Sequence, residues 1–131
     1  MENVLNKLKF KPEFTALVLN APAKIKEALQ KNGFDAVNKA GSVYDFVMVF
    51  VTSHKELEDH IGETMKALKY DNHFWINYPK GSSKLHTDLN RDTLWKAMEK
   101  TGYRPVTLIA FDEDWSAMRF RHVEKVKTKG K

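Results

Sequence analysis

Four short apolar runs constrain this chain more than any other feature. They are residues 14–19 (FTALVL), 44–51 (YDFVMVFV), 73–77 (HFWIN) and 106–111 (VTLIAF). Nearly continuous runs of this length predict strands with both faces covered. Helical periodicity separates them. Ile25, Ala28 and Leu29 recur three and four apart after the first run. Leu57, Ile61, Met65 and Leu68 form a longer stripe after the second, and Leu94, Trp95 and Met98 follow the third. Buried strands alternating with amphipathic helices predict a parallel sheet with helices on its faces.

Boundary residues support this reading. Pro22 suits a helix start, and Gly33 and Gly102 suit the positions just past helix ends. Residues 53–56 have the S-x-x-E form of a capping box, and Asp88 or Asn90 could cap the next helix. Residues 1–13 predict a short amphipathic turn carrying Val4, Leu5 and Leu8, broken by Pro12. Residues 34–41 read either as a loop or as a short edge strand at 34–37. After the turn Asp112-Glu113-Asp114, residues 115–121 alternate like a returning strand, with Arg119 and Arg121 on one face. Right-handed crossovers then predict a three-layer, Rossmann-like α/β fold. Its sheet is mostly parallel, with an antiparallel C-terminal hairpin. Residues 1–123 form one domain, and 124–131 form a basic tail.

The chain has 131 residues, the size of one domain, and no cysteine. Disulfides, thiolate nucleophiles and cysteine zinc sites are therefore excluded. The tail carries Lys125, Lys127, Lys129 and Lys131 against Glu124, a net +3, which leaves +2 of the total +5 for the body. A body with so little excess charge argues against a dedicated nucleic-acid binder. No run approaches the ~20 apolar residues of a membrane span, and the first residues lack a secretory pattern. A soluble, cytoplasmic protein is expected.

Ligands of open parallel sheets bind at the carboxyl ends of the strands. That rule selects Asn20-Ala21-Pro22, Thr52-Ser53-His54, the loop 78–84 and the turn 112–114. The first loop contains no glycine, and Pro22 removes an amide, so a glycine-rich nucleotide site is not expected. The loop Tyr78-Pro79-Lys80-Gly81-Ser82-Ser83-Lys84 offers lysines, hydroxyls and a turning glycine to an anion, with His86 and Arg91 close in sequence. Solvated surface lysines are the plainer account of the same residues. The expected contacts are Asn20, Ser53, His54, Tyr78, Lys80, Ser82, Ser83, Lys84, Arg91, Asp112, Trp115 and Arg119. The acids at 112–114 read first as turn residues, and Arg119 as a salt-bridge partner. Trp75 and Trp95 read as packing, whereas Trp115 could stack on a ligand. The five histidines form no H-x-x-x-H or H-E-x-x-H pair, and no G-x-S-x-G elbow occurs. No metal and no cofactor are expected.

Three segments carry a resemblance. Phe74-Trp75-Ile76-Asn77-Tyr78-Pro79-Lys80, Thr87-Asp88-Leu89-Asn90-Arg91-Asp92 and the stretch from Asp112 to Phe120 resemble a family of small bacterial proteins, and Phe14 to Pro22 looks like that family's opening strand. In that family, a domain of unknown function, W-x-x-x-P-K, T-D-L-x-R-D and D-x-x-W-S-x-x-R-F recur in this order. The resemblance implies no activity. Strands 44–51 and 73–77, the helix between them and the closing hairpin also look like the later half of a class I methyltransferase. That family's glycine-rich loop is missing here, as is a dependable acid at the end of a second strand. This likeness therefore implies a shortened, cofactor-free relative.

Three functions follow as expectations. The leading one is a non-enzymatic binding or regulatory domain for a small anionic ligand. The second is a small methyltransferase-like enzyme using Asp112, His54 or Asp88 as acid or base. The third is a protein-interaction module, a homodimer joined through a sheet edge.

Overall fold

The structure is a computed structural model, and it describes residues 2–38 and 42–123. The tail 124–131 lies outside the described residues. Along the chain come α1 (Glu2–Lys7), β1 (Ala16–Leu19), α2 (Ala23–Lys31), β2 (Phe34–Asp35) and β3 (Tyr44–Phe50). They are followed by α3 (His54–Lys66), β4 (Leu68–Pro79), α4 (Arg91–Met98), β5 (Tyr103–Ala110) and β6 (Trp115–His122). One sheet forms in the order β2-β1-β3-β4-β6-β5. The first four strands pair in parallel. β6 runs antiparallel between β4 and β5.

β3 holds the centre because its sequence can be covered everywhere. Phe46 to Val51 are all buried to 1% exposure or less. Alternation along the strands then divides the core in two. Val47 and Val49 join Phe74 and Ile76 beneath Leu57 of α3 and Leu94 and Met98 of α4. Phe46, Met48 and Phe50 join Trp75 beneath Leu5 and Leu8, at the first helix, and Leu29 of α2. Two helices on each face make the three-layer, Rossmann-like architecture that the alternation predicts. Burying each large apolar side chain contributes roughly 1.5–3 kcal/mol.

Four expectations change in detail. The fourth run is not a covered central strand. β6 inserts beside β4 and leaves β5 as the edge, with Val106 and Leu108 exposed at 39% and 44%. β5 still points the same way as β4, because each is antiparallel to β6. Leu68 does not extend the helix stripe: α3 ends at Lys66 and Leu68 opens β4. Trp95 faces outward at 47% exposure, while Leu94 and Met98 carry the packing of α4. Segment 34–37 yields a two-residue strand beside β1.

Candidate functional site

β1, β3 and β4 end together, with Leu19 level with Val49 and Val49 level with Ile76. Their following turns therefore share one rim. Asn20 leaves β1 in the left-handed region, at φ 59°. A glycine adopts this freely, and asparagine is among the few other residues that tolerate it. Its amide Nδ2 donates to the carbonyl of Phe50 at 2.8 Å, tying the exit of β1 to the end of β3. Three residues later α2 begins. Pro22 precedes it without a side-chain cap, and no acid occupies its first turn.

The other two helices at this rim close their own starts. The Ser53 hydroxyl accepts from the amide of Glu56 at 3.1 Å. The Glu56 carboxylate does not complete a capping box; it accepts from the amide and hydroxyl of Thr52, at 2.6 and 2.8 Å. Asp88 Oδ1 accepts from the amide of His54 at 2.9 Å, so the residue considered for capping α4 instead closes α3. Asn90 caps α4, exchanging hydrogen bonds with Thr93. A carboxylate at the start of α3 is favoured by the helix dipole.

The lysine loop is tethered to the acidic turn. The Lys80 amide donates to the carbonyl of Asp114 at 2.8 Å. The Ser83 hydroxyl donates to Asp114 Oδ1 at 2.9 Å. Asp112 Oδ1 accepts from the amides of Asp114 and Trp115, both at 2.8 Å, which is the duty of a turn residue. Lys80 is half-buried, and Ser82 and Lys84 are exposed. Tyr78 is buried on the face covered by α3 and α4. Burial holds its phenol above the ordinary value; nearby Arg91 opposes this and Asp92 reinforces it. Arg91 itself lies 3.7 Å from the Asp92 carboxylate.

The structure thus gathers Asn20, Ser53, Lys80, Ser82, Ser83, Lys84 and Asp112 along one rim. It separates three others. The ring of Trp115 is buried against Phe50 at 4.9 Å. Arg119 sits level with Trp75, well below the rim. The His54 side chain lines a cleft of about 560 Å³ between α3 and the end of α4, with Leu57, Ile61 and Met98. Two residues escaped the sequence reading. Asp35 supplies the acid at the end of a second strand that the sequence did not promise, and it accepts from the Tyr44 hydroxyl at 2.8 Å. Asn77 is fully buried, and neither polar atom of its carboxamide has a hydrogen-bond partner among the described residues. An amide inside an otherwise apolar strand was the available signal. Among the described residues, no group of three or more histidines and acids converges on a metal position. No described helix is long and apolar enough to cross a membrane.

Several solved structures of similar fold are methyltransferases. The chain is similar to a ribosomal protein L11 methylase from Lactobacillus delbrueckii subsp. bulgaricus, at 10% identity and TM-score 0.61. The match covers 92% of this chain and 75% of that one. A SAM-dependent methyltransferase from Aquifex aeolicus matches at 14% identity and TM-score 0.58, covering 91% and 87% of the two chains. Magnesium protoporphyrin IX methyltransferase from Synechocystis PCC 6803, solved with bound SAH, matches at 9% identity and TM-score 0.59, covering 92% and 82%. At these identities the likeness is one of fold. No family model and no curated protein matches the sequence.

Proposed function

We propose that this chain is a shortened methyltransferase-type domain that holds an S-adenosyl compound across the ends of β1 and β2. The observation that carries the reading is the contrast among helix starts at the rim. α3 and α4 are closed by their own side chains, whereas α2 has neither a cap nor a first-turn acid. An open helix start suits the carboxylate of the ligand's amino-acid end. Asn20 supplies the left-handed turn that a glycine would otherwise supply. Asp35, the last residue of β2, would offer ribose hydroxyls the carboxylate oxygen that does not accept from Tyr44. When bound, the sulfonium would supply an electrophilic methyl group. The chain's own residues would bind the ligand and orient it.

The lysine loop is less suited to be the primary anion site. Ser83 is engaged by Asp114, and the nearest helix start is closed by Asp88. Asp88 and Asp112, the two carboxylates considered as acid or base, both spend an oxygen on backbone amides. The reading is therefore one of binding first, and a cysteine-free chain is consistent with a cytoplasmic setting for it.

Calorimetry with S-adenosylmethionine and S-adenosylhomocysteine tests the proposal. Both should bind the wild-type chain. Asp35→Ala should weaken binding about tenfold, the effect of losing ~1.4 kcal/mol of hydrogen bonding. Asn20→Gly should bind like wild type. No heat with either compound would overturn the reading.

A further inference from the structure

We infer that β5 is the edge through which two copies of this chain join, each adding its β5 antiparallel to the other. The inference stands apart from the ligand reading and rests on three observations. First, the two edges of the sheet are unequal. β2 has two residues, whereas β5 has eight and, among the described strands, pairs with β6 alone. An eight-residue edge presents unpaired amides and carbonyls, a template for another strand. Second, apolar side chains collect along it. Val106 and Leu108 lie on β5, and Trp95 and Val123 line a hollow of about 440 Å³ with Tyr103, Arg104, Gly102 and Glu99 at its beginning. These are four of the seven exposed large hydrophobic residues among the described residues.

Third, charge is distributed so that antiparallel self-pairing is complementary. The start of β5 carries Arg104, and the turn after its end carries Asp112, Glu113 and Asp114, all exposed. Pro105 and the irregularity between Pro105 and Thr107 blunt the first half of the edge, so that residues 107–109 form the regular part of a pairing centred on Leu108. A two-fold axis normal to the sheet keeps the same faces aligned, so opposed residues must share a face. An axis through Leu108 meets this condition, opposing Leu108 to itself and Thr107 to Ile109. Arg104 of each copy then meets the acidic turn of the other, beside the hollow that Trp95 lines. A parallel or head-to-tail arrangement would bring like ends together or leave them apart.

Light scattering should give twice the 15.2 kDa mass of one chain. Leu108→Lys, at an exposed position, should give the single mass with an unchanged circular dichroism spectrum. Arg104→Glu should weaken association and Glu113→Arg should restore it in the double variant. Because the chain has no cysteine, Leu108→Cys offers a direct probe. Opposed antiparallel residues lie ~4.5–5.5 Å apart, within disulfide range. Mild oxidation should therefore cross-link Leu108→Cys but not Lys31→Cys on α2. A single mass for the wild-type chain would overturn the inference. So would a dimer insensitive to Leu108→Lys, or equal cross-linking at both cysteine positions.

Discussion

Single residues tie the strands together at both ends of the sheet. Asp45, in β3, accepts from the amide and hydroxyl of Thr15 at 2.9 and 3.1 Å and pairs with Lys69 at 3.0 Å. The backbone bond from Thr15 is the main reason its carboxyl lies below the ordinary value; burial opposes this, and Lys69 adds to it. A lowered folded-state value means stability that is present above the unfolded value near 3.9 and is lost as pH falls through the folded value. Asp45→Asn should therefore cost about 1 kcal/mol near neutrality. The difference from wild type should shrink as urea titrations are carried below the unfolded value of about 3.9. At the rim, Asn20→Val should cost about 1–2 kcal/mol, because a β-branched residue resists positive φ, while Asn20→Gly should be nearly neutral. Thermal unfolding of the two variants distinguishes them. Asn77 was readable as an amide in a core strand, but its burial without a described partner was not, because burial depends on Phe50 and Ala117 beside it. Its unpartnered carboxamide costs about 1–3 kcal/mol, so Asn77→Leu should raise the unfolding midpoint.

Helices and loops show where local chemistry was sufficient and where it was not. Ser53 was legible as a cap and caps α3; Ser53→Ala should cost about 1 kcal/mol in denaturant unfolding. Gly33 and Gly102 were legible as helix ends, and both have positive φ, 91° and 82°. Asp88 was not legible as a partner of α3, because 34 residues separate it from His54. Asp88→Ala should release the loop 80–90 from α3 without unfolding the domain. Hydrogen exchange should then rise at His54 and across that loop, with little change in β3. Asp112 and Asp114 follow the same division. Their role in a turn was readable from three consecutive acids, but the clasp between Asp114 and Ser83 joins segments distant in sequence.

At the scale of the whole molecule, Phe50 links the rim to the core. Its ring lies 5.4 Å from Phe111 and 4.9 Å from Trp115, both edge-on, and its carbonyl holds Asn20. Phe50→Ala should cost about 3–5 kcal/mol, a large share of the total stability of such a domain. It should also shift the fluorescence of Trp115, and an unchanged spectrum would count against this packing. The amino-acid sequence by itself determined the helices between the apolar runs, the cap at Ser53 and the common direction of four strands. Those properties depend on periodicity and on neighbours a few residues apart. The tertiary structure alone decided that β6 would wedge beside β4 and expose β5, that Asp35 would end a strand, that Asp88 would close a distant helix and that Trp115 would be buried. Each of these outcomes depends on which segments compete for the same neighbour, and that competition is settled only by packing across the whole sheet.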